Sequence, residues 1–235
     1  MCNLYSITTN QEALRRLIGD FRRHQSIGNF PPMTGVFPDY AAPIVRNTPD
    51  GLELAAVRWG MPTPPKFLEG KRTDPGVTNV RNVASPHWRG WLGACSRCVV
   101  PFTSFSEWDN TIGLDGKKRG DTWFAFDEGR PLAVFAGIWA NSWTSVRKLK
   151  EGPVRTDLFA FLTTEPNDIV GSIHMKAMPV ILTDPAEIQT WLSAPWEEAS
   201  TLQRPLPNGT LQIVSVGPKE DPPPPPTAVR EPLLF

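Results

Sequence analysis

The chain has 235 residues, of which 40% are hydrophobic and 20% charged, and its formal net charge is zero. This is the composition of one ordinary globular domain and not of a disordered or fibrous chain, and no apolar run reaches the length of a membrane span. We expect a cytoplasmic protein without a membrane partner, because the start of the chain lacks a signal-peptide core and three cysteines argue against a disulfide framework.

The first part of the sequence predicts one helix followed by two strands. Asn10 can cap a helix that runs to about His24, because apolar residues recur at helical spacing between them. Residues 29–38 contain three prolines and one glycine and predict an irregular loop. Extended, apolar-rich runs follow at residues 42–46 and 52–60.

The rest of the chain predicts mainly strands, separated by short helices. Pro86 can open a short helix. Further strands are predicted at residues 97–102, 123–127, 132–140, 157–164, 178–183 and 211–217. Further helices are predicted after Pro166, after Pro185 and over residues 196–202. Many strands joined by mostly short connections indicate a single α+β domain over residues 1–217, with a curled, mainly antiparallel β core flanked by helices.

The end of the chain differs in composition from the rest. Residues 222–226 are five consecutive prolines, which cannot form a helix or a central strand. We expect residues 218–235 to be a proline-rich, disordered tail.

Cys2 carries the most distinctive chemistry in the sequence. Removal of Met1 would leave Cys2 with a free α-amine next to its thiol. Such an amine condenses with an aldehyde to an imine, and the thiol then adds to the same carbon and closes a thiazolidine ring. An internal cysteine has no free amine and cannot close this ring. A cysteine near the start of a chain also occurs by chance, so Cys2 alone does not establish a function.

Four segments carry the remaining functional signal, and they are MCNLYS, AAVRWGMPTP, VTNVRN with RCVVPFTSFSEWD, and HMKAMPVILT. In this order and spacing they resemble the SOS response-associated peptidase (SRAP) family. The motifs extend from residue 2 to residue 183, which is most of the predicted domain. The resemblance implies an α+β fold with a barrel-like, mainly antiparallel β core.

The resemblance also implies a function. Members of this family use an N-terminal cysteine to cross-link the aldehyde of an abasic site in single-stranded DNA through a thiazolidine, which shields the lesion. Matching motif to motif makes Cys2, Asn79, Glu107 and His174 the catalytic residues. The implied activities are peptidase-like removal of the N-terminal residue and abasic-site lyase or cross-linking chemistry. A general methionine aminopeptidase is the alternative route to Met1 removal.

The same resemblance implies the surroundings in which this chemistry takes place. The implied partner is single-stranded DNA that contains abasic sites, bound by a monomer without a cofactor. When bound to DNA, the protein would be associated with the nucleoid.

The residue types suit these roles. A carboxyl group such as Glu107, kept partly protonated by the neighbouring Trp108, can move protons during imine formation. Histidine has a proton affinity close to physiological pH, so His174 can assist the opening of the sugar ring. The amide of Asn79 can hold the Cys2 amine or a substrate oxygen without adding charge. The structural alternatives are a salt-bridged glutamate, a core histidine and a turn-forming asparagine.

A local basic patch supports nucleic-acid binding. From residue 66 to residue 97, six basic and two acidic residues leave an excess of four positive charges. Arg81 and Arg89 are predicted to contact phosphates, and Trp88 to stack on a base unless it belongs to the core. The remaining residues that we assign to the DNA-binding surface are Trp59, Thr163 and Lys176.

The sequence departs from its relatives at three points, one of which is the segment FTSFS before Glu107, where relatives often have a glycine and an aromatic residue. Asn3 and Leu4 stand where many relatives have Gly-Arg, so an early DNA-contacting arginine is missing. The segment HMKAMP has one residue more than the common H-x-R-M-P, and we expect Lys176 to replace that arginine. These changes leave the catalytic residue types intact and alter the predicted contacts to DNA.

Other readings of the sequence remain open at this point. Cys95 and Cys98 form a CxxC motif, but there is no second pair, and we predict a buried structural Cys98 and no metal. An N-terminal-cysteine amidohydrolase would also use the Cys2 amine and thiol. A non-covalent module for single-stranded nucleic acid would use only the basic patch.

Overall fold

The computed structural model describes residues 2–27, 31–113 and 116–221. Its regular elements are, in chain order, β1 (Leu4–Ile7), α1 (Gln11–Ile18), β2 (Arg22–Arg23), β3 (Met33–Val36), β4 (Ala41–Thr48), β5 (Gly51–Trp59), β6 (Asn79–Val80), β7 (Arg97–Phe102), β8 (Ser104–Ile112), β9 (Lys118–Ala125), β10 (Ala133–Ser145), β11 (Val154–Thr164), α2 (Asp168–Gly171), β12 (Met178–Pro179), β13 (Ile181–Leu182), α3 (Pro185–Ser193), α4 (Trp196–Ala199) and β14 (Gln212–Gly217). Short 3-10 helices lie at Gln25–Ile27, Pro65–Phe67, Pro86–Trp91, Ala94–Ser96 and Ser200–Leu202.

Within the described residues, five strands close into a barrel in the order β11, β10, β7, β4 and β5. The neighbouring strands of this series pair antiparallel. A short parallel contact between β5 and β11, which pairs Trp59 with Phe159, closes the barrel. The prediction of an α+β fold with a mainly antiparallel, barrel-like core is therefore confirmed.

The barrel strands alternate between two apolar layers, as expected where both faces of a sheet are covered. One layer fills the barrel with aromatic rings, among which Phe102 and Phe135 stack at 3.9 Å between centroids. The other layer packs under the helices, where Trp191 of α3 donates a hydrogen bond to the Cys98 carbonyl oxygen at 2.9 Å. Together the two layers bury most of the large apolar side chains of the chain.

A second sheet, in the order β14, β9, β8, β1 and β3, carries the start of the chain. Strand β1 pairs antiparallel with β8, with Leu4 opposite Ser106. This register brings the residues just before Leu4 close to Glu107 on β8. The second sheet therefore determines which side chains meet the beginning of the chain.

Two local predictions differ from the structure. Helix α1 ends at Ile18 and not near His24, because Gly19 adopts φ +95° and the chain then pairs with β5 through β2. Residues 33–36 of the predicted loop form β3, whose Val36 pairs with Tyr5 of β1. Residues 29 and 30 of that loop lie outside the described residues.

The packed domain extends beyond the boundary predicted after residue 217. Asp221 is 2% exposed and its carboxylate lies 2.9 Å from Nε of the buried Arg130. Residues 218–221 therefore belong to the domain and not to a tail, and residues 222–235 lie outside the described part. Among the helices that the structure describes, none is long and apolar enough to cross a membrane.

Candidate active site

A cleft of about 720 Å³ opens beside the second sheet. It is lined by residues at the start of β1, by residues of β8 and by residues 173–176, which follow α2. Lys219, which follows β14, also lines it. Among the side chains that line it are those of Asn3, Glu107, His174, Lys176 and Lys219. The cleft thus joins segments that are distant in sequence.

Cys2 lies at the inner edge of this cleft. Its side chain is 1% exposed and belongs to the aromatic layer inside the fold, whereas Asn3 and Leu4 line the cleft itself. The Sγ atom donates a weak hydrogen bond to the Leu4 carbonyl oxygen at 3.4 Å. Burial, and next the charge of Glu107, raise the pKa of the Cys2 thiol well above its ordinary value. The thiol is therefore protonated at neutral pH until a base takes its proton.

Asn79 ties the start of the chain to the barrel. Its Nδ2 donates to the Cys2 carbonyl oxygen at 2.8 Å and to Thr78 Oγ1 at the same distance. Strand β6 places Asn79 opposite Phe161 of β11, so its backbone position is fixed by the barrel. Its Oδ1 is buried and has no hydrogen-bond partner among the described residues. This oxygen is thus an acceptor that an incoming N–H or O–H group can use.

Glu107 and His174 form the polar centre of the cleft. Their Oε2 and Nε2 atoms lie 3.8 Å apart, and Glu107 is 3% exposed. Burial raises the pKa of Glu107 to about 7. Burial lowers the pKa of His174 from its ordinary value, and the charge of Lys176 lowers it further. Near pH 7 the pair therefore holds a partly protonated carboxyl group beside a neutral imidazole, which suits proton transfer.

The position of His174 is set by the end of α2. Asn167 caps this helix by accepting a hydrogen bond from the Val170 N–H at 3.2 Å. The N–H of His174 then donates to the Val170 carbonyl oxygen at 2.7 Å. This turn directs the residues after it into the cleft, where Met175 is 86% exposed and Lys176 is also exposed.

The predicted catalytic residues are thus brought together, and the predicted DNA-binding residues divide into two groups. Arg81, Arg89 and Lys176 are exposed. Arg81 Nη2 forms an ion pair with Glu165 Oε2 at 3.2 Å. These three basic side chains remain predicted phosphate contacts.

The other three predicted DNA contacts are buried, which corrects their assignment. Trp59 and Thr163 are each 1% exposed, and Trp88 is 6% exposed. Trp59 packs against Phe161 at 5.3 Å between ring centroids, and its Nε1 donates to the Thr78 carbonyl oxygen at 3.0 Å. In these positions the side chains cannot stack on bases or reach phosphates. Trp59 instead supports the segment that carries Asn79.

Two residues of the cleft were missed by sequence reasoning. Trp108 was considered only as a neighbour that desolvates Glu107, yet it is 49% exposed and lines the cleft. Lys219 lay in the segment assigned to the tail, although it also lines the cleft. Trp108 follows the buried Glu107 in β8, and successive residues of a strand face opposite sides. A strand assignment at this point would therefore have indicated that the Trp108 ring is exposed.

The CxxC motif lies away from this cleft. Cys95 is exposed and Cys98 is buried inside the barrel, where burial raises the pKa of its thiol. In the part of the chain that the structure describes, no three His, Cys, Asp or Glu side chains group as metal ligands would. A further cleft near Cys95, of about 740 Å³, is lined in addition by Arg46 and Trp139.

Fold and site together define a single-domain α+β barrel protein in which a glutamate and a histidine line one cleft and a cysteine and an asparagine lie buried next to them. The model of the SOS response associated peptidase (SRAP) family matches residues 1–219, so the chain belongs to this family. No protein with a curated description matches the chain significantly.

Solved structures share the fold. A protein from Bacteroides thetaiotaomicron has a TM-score of 0.65 at 20% sequence identity, with 90% of each chain covered. A protein from Bordetella bronchiseptica has a TM-score of 0.65 at 23% identity, with 90% of this chain and 97% of that chain covered. A phage-related protein from Bordetella bronchiseptica has a TM-score of 0.62 at 21% identity, covering 90% and 92%. At these identities the similarity concerns the fold alone.

Proposed function

We propose that this protein forms a covalent cross-link with abasic sites in single-stranded DNA through Cys2, once Met1 has been removed. The product is a thiazolidine that joins Cys2 to the aldehyde carbon of the opened sugar. A lesion capped in this way has no free aldehyde and is shielded from strand cleavage by elimination.

One observation carries the proposal: the four predicted catalytic residues form one connected group, in which Glu107 and His174 line the cleft and Cys2 and Asn79 lie buried behind it. Asn79 holds the Cys2 carbonyl at 2.8 Å, and Glu107 lies 3.8 Å from His174. Glu107 also interacts electrostatically with the Cys2 thiol. An isolated buried cysteine would need none of these partners, whereas condensation of an aldehyde with an aminothiol requires a nucleophile, a proton donor and a proton acceptor together.

The first step is imine formation. The neutral α-amine of Cys2 attacks the aldehyde carbon, and a proton passes from the nitrogen to the carbonyl oxygen to give a neutral carbinolamine. The protonated form of Glu107 then donates its proton to the hydroxyl group, which leaves as water, while nitrogen forms a double bond to carbon. A pKa of about 7 leaves Glu107 partly protonated at neutral pH, so it can act as the donor and remain as the base for the next step.

The second step closes the ring. The Cys2 thiol leaves its contact with the Leu4 carbonyl oxygen and loses its proton to the Glu107 carboxylate. Sulfur then adds to the carbon of the protonated imine, and the electron pair of the carbon–nitrogen double bond returns to nitrogen, which gives the neutral thiazolidine. The overall reaction consumes one aldehyde and one aminothiol and releases one water, without an oxidant or a cofactor.

His174 serves the substrate before these steps. An abasic sugar exists largely as a closed hemiacetal, and opening requires loss of the hydroxyl proton and protonation of the ring oxygen. Because the pKa of His174 is lowered, its neutral imidazole can accept the first proton and return it to the ring oxygen. Exposed Lys176, two residues away, supplies a positive charge for a neighbouring phosphate.

Removal of Met1 is the preparatory reaction, and the family's peptidase name fits it. We propose that Glu107 assists this hydrolysis, because the peptide bond before Cys2 must lie near the site that later holds the Cys2 amine. A general methionine aminopeptidase would give the same product without Glu107. Mass spectrometry of Glu107→Gln produced in a strain that lacks such processing distinguishes the two routes.

The test of the function is a denaturing gel after incubation with single-stranded DNA that contains an abasic site. The parent protein should give a stable shifted band. Cys2→Ala should give no such band but keep DNA binding on a native gel. Cys2→Ser should give only an imine that borohydride traps, because a hydroxyl group closes the ring poorly. A heat-stable band from Cys2→Ala would overturn the proposal.

A further inference from the structure

The four residues after β14, here called the strap (residues 218–221), form part of the cleft. At its start, the Pro218 carbonyl oxygen accepts a hydrogen bond from Trp123 Nε1 at 2.8 Å. At its end, the Asp221 N–H donates to the Thr34 carbonyl oxygen at 2.9 Å. The strap is thus attached to β9 at one end and to β3 at the other.

Asp221 anchors the strap in the interior. Arg130 Nε donates to its two carboxylate oxygens at 3.0 and 2.9 Å. Its Oδ2 also accepts hydrogen bonds from Ser6 Oγ at 3.1 Å and from Ser104 Oγ at 2.6 Å. Ser6 belongs to β1, which follows Cys2 in the chain, and Ser104 belongs to β8, which carries Glu107, so one buried carboxylate fixes the strap to both strands.

The two residues between these anchors, Lys219 and Glu220, have different surroundings. Glu220 Oε2 accepts a hydrogen bond from Thr34 Oγ1 at 2.7 Å, which holds it toward β3. Lys219 lines the cleft and is exposed. The positive charge of Lys219 acts on Asp121, another residue of the cleft. Burial raises the pKa of Asp121, and the Lys219 ammonium group opposes that shift.

The charges of the cleft favour an anion. Lys176 and Lys219 contribute two positive charges from separate segments, against the carboxylate of Asp121. Glu107 is partly protonated near pH 7 and adds only a fraction of a negative charge. A lysine binds phosphate as a point charge and does not read base edges, so it contributes affinity rather than sequence preference.

We propose that Lys219 binds a backbone phosphate of single-stranded DNA in the cleft and that Asp221 positions it there through the strap. This inference rests on the proposed function and adds a phosphate contact to it. The contact lies on the side of the cleft formed by the strap, apart from the segment that holds His174 and Lys176.

The experiment measures affinity for a single-stranded oligonucleotide that carries a tetrahydrofuran abasic analogue, which has no aldehyde and cannot cross-link. Anisotropy titrations from 50 to 200 mM salt compare the parent, Lys219→Ala and Lys150→Ala. Lys150 is an exposed lysine outside the lining of the cleft. Loss of one phosphate contact should reduce the salt slope by about 0.7, which corresponds to about eightfold weaker binding at 50 mM and about threefold at 200 mM.

The outcomes separate this inference from the proposed function. Parent protein that does not bind the oligonucleotide overturns the proposed function and with it this contact. Parent protein that binds, with Lys219→Ala and Lys150→Ala both equal to it, overturns the Lys219 contact alone. A loss confined to Lys219→Ala supports it.

A double variant tests the positioning role of Asp221. If Asp221 acts on DNA through Lys219, Asp221→Asn should reduce the salt slope as Lys219→Ala does, and the double variant should lose nothing more. Circular dichroism establishes that each variant is folded at the temperature of the titration. Additive losses in the double variant, or an unchanged salt slope in folded Asp221→Asn, would overturn the positioning role.

Discussion

Glu107 Oε2 and His174 Nε2 lie 3.8 Å apart, although 66 residues of chain separate the two side chains. The carboxyl group belongs to a strand of the second sheet and the imidazole to the turn after α2. Both are shielded from solvent, and their pKa values are displaced toward each other by burial. The raised pKa leaves the carboxyl group partly protonated near pH 7, and the lowered pKa of His174 favours the neutral imidazole beside it, which suits proton transfer.

Glu107 should make the protein less stable as the pH rises from about 4.5 to about 7. Its pKa is raised from 4.5 to about 7, so within this window the folded protein keeps a proton that the unfolded chain has lost. The free energy of unfolding should therefore fall across the window, by about 3 kcal/mol in total, and level off above it. Urea unfolding at several pH values measures this dependence.

The comparison variant for that measurement is Glu107→Gln, which cannot ionise. The free energy of unfolding of this variant should change less between pH 4.5 and 7 than that of the parent. At pH 8 the variant should be more stable than the parent. Equal pH dependence in the two proteins would assign the titration to other groups.

Asn79→Ala should slow cross-linking by about ten- to a hundredfold, because the Cys2 carbonyl loses the hydrogen bond that holds the nucleophile in place. Single-turnover rates on abasic single-stranded DNA provide the measurement. Asn82→Ala is the matched control, since Asn82 is an exposed asparagine only three residues further along. Equal rates for the two variants would leave Asn79 with a purely structural role in β6.

Glu165→Gln should strengthen DNA binding at low salt. Glu165 forms an exposed ion pair with Arg81, so its neutralisation leaves the guanidinium group free for phosphate. Arg81→Gln should have the opposite effect and reduce the salt slope by about 0.7. Glu69→Gln, which removes a negative charge from the same basic segment without touching that pair, is the control in the anisotropy titration. If Glu165→Gln and Glu69→Gln strengthened DNA binding equally, Arg81 would be excluded from the DNA-binding surface.

Asp221→Asn should lower the free energy of unfolding by about 3–5 kcal/mol, because it removes the buried counter-charge of Arg130 and leaves only the longer ion pair with the exposed Glu128, at 3.8 Å. Urea unfolding of the full chain measures this loss. Glu220→Gln, whose side chain is exposed beside Thr34, should cost less than about 1 kcal/mol. A small effect of Asp221→Asn would mean that the strap contributes little to the fold.

The barrel was predictable because its strands carry strong local signals. Residues 97–102 read as a buried strand, and β7 occupies that range. The pairing of β1 with β3 was not predictable, since four-residue strands have weak signals and pairing depends on neighbours distant in sequence. The strap was hidden for another reason: the prolines that follow it made the whole segment resemble a tail, and a buried aspartate is recognised only once Arg130 is beside it.

The candidate site was predictable in its catalytic residue types and only partly in its DNA contacts. Tryptophan is both a stacking residue and a core residue, and sequence alone does not distinguish the two. Trp59 and Trp88 proved to be core residues, whereas Trp108 is the half-exposed ring in the cleft. The exposure of arginines and lysines was easier to predict, because their charge keeps them at the surface unless a partner is buried with them.

His174→Ala should separate ring opening from thiazolidine formation. If His174 moves the proton that opens the hemiacetal, its loss should slow cross-linking to a natural abasic site by about a hundredfold. A small aldehyde, which needs no ring opening, should still react with Cys2 at nearly the parent rate.

The ratio of single-turnover rates on these two substrates is the decisive quantity. It should change strongly in His174→Ala but little in Glu107→Gln, because Glu107 serves imine formation with either aldehyde. The variants need the same N-terminal processing, which mass spectrometry establishes before the rates are compared. Equal slowing of both substrates by His174→Ala would place the imidazole in the condensation itself, 3.8 Å from the carboxyl group with which it would then share the proton.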